Sequence, residues 1–343
     1  MKTKLYLVLS LLMLLSGCRG DIPVTKESAE QRIRSITISC AGDCTLGTDV
    51  AFGGQTLPRE VEEQEGDYGW FLRNVLPIFG KDDLTMVNLE GTLTKRGTRQ
   101  EKTYAFRGNP EYVSILTAGS VEAVTLANNH SLDYGEISLA DTKEALGTVG
   151  VWWVENLHTI VKEIDGVKVG MIGLYDLNGS ALNMIPQTME QVKNEGAELI
   201  VVQVHWGIEG EAIPTPRQRE IAHAAIDAGA DLVMGHHPHV LQGLEEYKGK
   251  MIAYSLGNFC FGGNQNPTDK DTMIFQQTFL VGEGKVLPET KWQVYPCSIS
   301  SVAERNNYQP TPLFGEAGEG IRHKIQERTD AIGELAVHFA DRI

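Results

Sequence analysis

The sequence predicts an α/β protein built from parallel β-α units, with its sheet covered on both faces. Three observations predict it. Continuous apolar runs such as "AELIVVQVHWG" and "ADLVMGHHPH" read as strands buried on both sides. Segments with helical punctuation, such as "LADTKEALGTVG" with its closing glycine, fall between those runs. Polar residues collect where the runs end: Asp43, Asn88 and Glu90, Asn128 to His130, His205, and His236 to His239. Parallel sheets bind ligands beyond the carboxyl ends of their strands, so this convergence is the main functional signal. With no internal repeat and no second core evident, one domain over 35–343 is expected.

The elements follow in order. Lys2 and Lys4 precede an apolar run from Leu5 to Leu15, then small residues and Cys18. That is the pattern of a secretory signal over residues 1–17, too short for a comfortable membrane span. "LLSGC" resembles the lipobox of bacterial lipoproteins, which implies a lipidated Cys18 and an extracytoplasmic, membrane-anchored protein at the periplasmic or cell surface. Residues 18–34 read as a polar linker. "SITISC" (Ser35–Cys40) alternates and is β-branched, a first strand running into "AGD". A helix is expected over Trp70 to Phe79. "LTMVNLEG" and "SVEAVTLANNH" are strands ending in polar residues, and "LADTKEALGTVG" is a helix. Asp165-Gly166 between alternating runs predicts a hairpin. After the strand ending at His205 comes a helix near Arg217 to Ala228, then "ADLVMGHHPH" and the strand "KMIAYSLGNF". Strands dominate after residue 270, with a helix at the C-terminus.

The formal charge is −15, and −17 once residues 1–17 with their two lysines are removed. Such a surface disfavours nucleic acid and anionic headgroups. It admits an anionic substrate only through a local positive site such as a metal. Cys40, Cys44, Cys260 and Cys297 remain after Cys18. An oxidising compartment permits disulfides among them, and the sequence does not choose a pairing.

Three of the nine histidines occupy His236, His237 and His239 at the end of a core strand. Buried imidazoles need partners for their nitrogens, and neutral imidazole is a common ligand for manganese-, iron- or zinc-type ions. In an extended segment alternate residues share a face. His237 and His239 are therefore expected to face one ion, with His236 pointing elsewhere and Pro238 stiffening the turn. A solvated histidine-bearing loop is the bland alternative; His205 and the carboxylates weigh against it. Asp43, Glu90 and Asn129 suit a divalent cation as oxygen ligands. His130 suits proton transfer, with Asp133 accepting its N–H. Taken singly, Asp43 reads as a cap, Glu90 as a surface charge, Asn128 and Asn129 as turn residues, and His205 as a core histidine.

"GDCTLG", "VNLEGTLT", "LANNHSLDYG", "VHWGIEGE", "GHHPHVLQG" and "YSLGNFCFG" together resemble the CapA/PgsA family of poly-γ-glutamate capsule synthesis proteins, over about Thr37 to Asp271. That family resembles the calcineurin-like metallophosphoesterases, which implies a four-layer α/β/β/α sandwich. The resemblance implies Asp43, Glu90, Asn129, His205, His237 and His239 as ligands of one or two divalent ions, and His130 with Asp133 as the catalytic pair. Asn88, Asn128, His236 and Asn258 are assigned to substrate binding. One departure stands out: the superfamily's Asp-x-His is here Asp43-Cys44-Thr45. Threonine is a poor ligand for such ions, and Cys44 would serve only as a thiolate.

Three functions follow as expectations. The first is a surface-anchored capsule or poly-γ-glutamate synthesis or export protein with a metal-dependent hydrolase-like site, working beside membrane capsule-synthesis proteins. The second is a metal-dependent phosphoesterase on nucleotides or sugar phosphates. The third is a non-catalytic protein that holds an anionic polymer through a degenerate metal site.

Overall fold

The structure is a computed structural model describing residues 33–343. The signal segment, Cys18 and residues 18–32 of the expected linker lie outside the described residues. Residues 33–343 form one compact unit.

Two sheets lie face to face. The first runs in the spatial order Thr311–Pro312, Lys291–Ser298, Asp271–Gly282, Arg34–Thr45, Leu84–Leu89, Ala123–Thr125 and Trp152–Val154. Asn258–Phe261 joins it beside the last residues of Arg34–Thr45. The second runs Leu244–Tyr247, Lys250–Ala253, Leu232–His236, Leu199–His205, Val167–Tyr175 and Ile160–Ile164. Arg34–Thr45 is parallel to Leu84–Leu89, and Leu199–His205 is parallel to both neighbours. The strands that carry the polar tips therefore run parallel within each sheet.

Alternation along each strand sorts residues into layers. Ile36, Ile38, Leu84 and Met86 of the first sheet share a core with Val169, Val201, Leu232 and Met234 of the second. The opposite face of the first sheet, with Val87, Leu89 and Val124, packs on helical residues such as Phe71, Phe79, Ile115 and Leu146. The opposite face of the second, with Val202, Val204 and Val233, packs on Ile185, Met189, Ile221 and Ala225 of two helices. Apolar surface on both faces of both sheets explains the near-continuous apolar runs and yields the four-layer α/β/β/α sandwich.

Several elements differ from the sequence reading for identifiable reasons. The first strand spans Arg34–Thr45, so Asp43 lies within its end rather than after it. The helix expected over Trp70 to Phe79 is two short ones, Gly69–Leu72 and Leu76–Phe79; Pro77 begins a new helix more readily than it continues one. "KMIAYSLGNF" splits between sheets: Lys250–Ala253 lies in the second and Asn258–Phe261 in the first. The chain crosses at Gly257 (φ 76°), which L side chains rarely adopt. The helix Ala181–Asn194 was not expected, and its internal Pro186 argues against it. The hairpin forms at Asp165 (φ 46°) and Gly166 (φ 78°), the left-handed pair of a tight two-residue turn. Helix Pro216–Ala228 opens with a capping box between Thr215 and Gln218 and ends at left-handed Gly229.

Candidate metal centre

Asp43 sits level with Asn88 on one neighbouring strand and Asn258 on the other, fully buried. That close packing needs the adjacent Gly42: a Cβ there would lie 1.9 Å from the Gly257 carbonyl oxygen. The Asp43 amide donates to the same carbonyl (2.9 Å). Asn88 Nδ2 donates to Asp43 Oδ1 at 2.8 Å. Asn128 Nδ2 in turn donates to Asn88 Oδ1 at 2.9 Å and to the Leu89 carbonyl at 2.9 Å. Asn88 and Asn128 thus brace the ligand strands from inside, whatever else they contact.

Glu90 is fully buried just past the Leu84–Leu89 strand, its amide donating to the Cys44 carbonyl at 2.8 Å. Around its Oε1 stand His205 Nε2 at 3.7 Å, His239 Nε2 at 3.7 Å and His130 Nε2 at 3.9 Å. Neither Glu90 carboxylate oxygen has a hydrogen-bond partner. His205 Nε2 lies 2.7 Å from Asn129 Oδ1, and the His205 and His237 ring centroids are 4.8 Å apart. One candidate ligand atom each from Glu90, His237 and His239 all fall within 4.8 Å of one another.

The histidine segment does not work as an extended run. Its strand ends at His236, and His237 (φ 97°) and His239 (φ 57°) adopt left-handed backbone. Non-glycine residues held there are strained, and such strain concentrates at functional sites. His236, expected to point elsewhere, places Nδ1 3.2 Å from Asp43 Oδ1 and is only 1% exposed. His239 Nδ1 lies 3.1 Å from Asp43 Oδ2 and 3.0 Å from Asn258 Oδ1. Asn258 Nδ2 closes the pair by donating to the His239 carbonyl at 3.2 Å.

Electrostatics follow from this crowding. Burial pushes the Glu90 carboxyl up to about 8, helped by Asp43, Glu209 and Asp133 and opposed by His239. Burial opposes charge on His239, but Glu90 and Asp43 outweigh it and raise the imidazole to about 10. Burial would also raise Asp43; contacts from His236 and His239 hold it well below the usual carboxylate range. Burial lowers His237 to about 4 and keeps His205 well below its ordinary value. These two imidazoles are neutral at pH 7, as ligands must be.

His130 Nδ1 lies 2.7 Å from Asp133 Oδ2, and the Phe106 ring packs 4.5 Å from the imidazole. Burial lowers the His130 pKa, with Asp133 opposing. The resting ring is therefore neutral, and it must first take up a proton before it can donate one. Three participants were not expected from sequence: Lys102, which contacts Asp133; Phe106, whose amide also donates to Asp133; and exposed Glu209 on the rim. Lys102 and Glu209 sit in polar loops without periodic signal, and buried Phe106 opens the three-residue strand Phe106–Gly108. Cys44, between Asp43 and Thr45, faces the opposite way into the helix-covered core, and burial raises its thiol to about 12. It is no substitute ligand. Thr45 Oγ1 is buried without a partner. Cys40, Cys44, Cys260 and Cys297 are all free and buried.

A cleft of about 680 Å³ opens over His130 and His239, walled by Phe52, Tyr104, Phe106 and Phe261, with Glu209 on its rim. Among the described residues no helix is long and apolar enough to cross a membrane.

The bacterial capsule synthesis protein family PGA_cap matches residues 37–263. PGA biosynthesis protein CapA of Bacillus subtilis (strain 168) is 34% identical over 277 residues, covering 73% of this chain and 70% of its own. Capsule biosynthesis protein CapA of Bacillus anthracis is 31% identical over 271 residues, covering 70% of this chain and 63% of its own. A probable polyglutamine synthesis accessory protein of Mycobacterium tuberculosis is 29% identical over 208 residues, covering 51% of this chain and 55% of its own. The chain belongs to the bacterial capsule synthesis protein family.

Proposed function

We propose that this chain is an accessory protein of capsule or poly-glutamate synthesis with a metal-dependent, hydrolase-like site, tethered outside the cytoplasm through Cys18. The names of its relatives support the capsule role. A membrane-bound synthesis machinery and an anionic polymer are its natural partners.

The carrying observation for the metal is Glu90. Burying a carboxylate with both oxygens unpartnered is costly, yet three imidazole nitrogens stand within 3.9 Å of Oε1. Nitrogen and oxygen donors converging on one buried point fit a manganese-, iron- or zinc-type ion. Glu90, His237 and His239 would hold it, with Asp43 beside His239 and with His205, paired to Asn129, equally near Glu90. An ion there supplies Lewis-acid polarisation of a phosphoryl or acyl oxygen and acidifies water from roughly 16 towards about 7. Asp133 orients His130 so that Nε2 faces the pocket, ready to accept a proton and return it to a leaving group.

Thr45 in place of a ligating histidine favours one strong ion position over two, and it supports a second reading: the site holds an anionic polymer without turning it over. The experiment is incubation of the manganese-loaded soluble domain with poly-γ-glutamate and with a generic phosphodiester. Polymer shortening lost in His130→Ala supports hydrolysis of polymer, and phosphodiester turnover alone supports phosphoesterase action. Tight polymer binding that survives His130→Ala, without turnover, supports the holding role. Absence of binding and turnover counts against the proposed site.

A further inference from the structure

Lys102 lies in the loop Arg99–Ala105, which leads into the strand Phe106–Gly108. Its Nζ donates to Asp133 Oδ1 at 2.7 Å and to the Asn129 carbonyl at 2.8 Å, and lies 3.3 Å from His130 Nδ1. Asp133 is fully buried in its side chain, and its other oxygen accepts the Phe106 amide. The loop is itself fastened. Arg99 Nη2 donates to buried Asp49 Oδ2 at 2.8 Å, the Ala105 amide donates to the same oxygen at 2.6 Å, and the Gln100 amide donates to the Asp133 carbonyl at 2.9 Å.

We infer that Lys102 is a positioning residue that ties the ligand loop at Asn129 and the His130–Asp133 pair into one geometry. The inference rests on the reading of the site given above. An ionised carboxylate only accepts, and an ammonium only donates. Asp133 Oδ2 therefore takes the hydrogen of His130 Nδ1, and the Lys102 hydrogens go to Asp133 Oδ1 and the Asn129 carbonyl. This division fixes the tautomer: Nδ1 carries hydrogen, and the Nε2 lone pair faces Glu90. It also sets the backbone of Asn129, whose side chain reaches His205. Without Lys102, Asp133 loses the one ammonium that contacts it among the described residues, and the Asn129 carbonyl loses the Lys102 hydrogen. A partner of this kind behind a site typically matters about 10–100-fold for metal affinity.

The test reads the His130 Nδ1–H proton by NMR, assigned by its disappearance in His130→Asn. In Lys102→Met that resonance should shift or vanish while the circular dichroism spectrum stays that of the parent, and Lys102→Arg should restore it. Manganese affinity, measured by titration calorimetry, should fall roughly tenfold in Lys102→Met. Should Lys102→Met fail to fold, Lys102→Gln, which keeps a donor and drops the charge, carries the same comparison. An unchanged Nδ1–H resonance in the charge-removing variant overturns the inference. If the parent binds no manganese, the metal reading fails, and the resonance still decides the role of Lys102.

Discussion

His205 Nε2 and Asn129 Oδ1 lie 2.7 Å apart, joining the end of a strand in one sheet to a loop that follows a strand in the other. The contact sits where the two sheets present their carboxyl edges to each other. Without an ion, the pair closes as a hydrogen bond. Were an ion bound there as proposed, the imidazole would have to present its Nε2 lone pair. On the proposed reading, loading the site would exchange hydrogen bonds and protons for coordination.

That exchange has a pH signature. With Glu90 raised to about 8 and His239 to about 10, the metal-free site holds protons at pH 7. An ion bound there would displace them, so binding should release protons and apparent affinity should rise from pH 6 towards pH 8. Titration calorimetry in two buffers of different ionisation enthalpy measures the release. A pH-independent affinity with no proton release contradicts it.

Stability has a separate pH dependence through Asp82. Burial pushes this carboxyl up to about 7, although Ser39 and Thr85 oppose the shift. A carboxyl raised on folding leaves the folded state holding the extra proton between its unfolded value near 4 and about 7. Stability is then full below pH 4 and falls as pH rises through that window. Asp82→Asn should stabilise the protein above pH 7 by about 1 kcal/mol, after discounting for partial exposure, and leave it unchanged near pH 4. Urea midpoints at the two pH values check this.

Gly42 sets the backbone approach beside Asp43. Gly42→Ala would place a methyl 1.9 Å from the Gly257 oxygen and 3.2 Å from the Leu256 oxygen, with backbone on both. Overpacking of this kind costs about 1–3 kcal/mol or more. Thermal denaturation should show a lowered midpoint, and metal content should fall with it, because Asp43 and Asn258 move apart.

Glu209 at the cleft rim acts on the histidines through charge alone. Glu209→Gln should tighten binding of an anionic oligomer by about two- to threefold at low salt, and less at high salt. Fluorescence titration at two salt concentrations checks it.

The strand tips were legible because parallel strands buried on both faces leave polar residues only where the chain emerges. Asp43, Asn88, Glu90, Asn129, His130, His205, His237 and His239 all stand out that way. The four layers were carried by family resemblance, which pattern alone does not give. His236 was misread because it is the last extended residue, level with His205, and the left-handed turn that breaks the alternation begins only at His237. The crossing at Gly257 was hidden inside an apolar run, where nothing marks a change of sheet. Helix Ala181–Asn194 forms despite Pro186 because its face of Ile185, Met189 and Val192 is buried on the second sheet. Lys102 was invisible because only the fold brings it to Asp133.

The most direct measurement is metal analysis of the protein purified without its first 17 residues, beside His205→Ala, after equilibration with manganese and removal of free ion. The account predicts bound divalent metal in the parent and markedly less in the variant, with an unchanged fold by circular dichroism. Equal metal content in the two, or none in either, would contradict a cation pocket at the meeting of the two sheets.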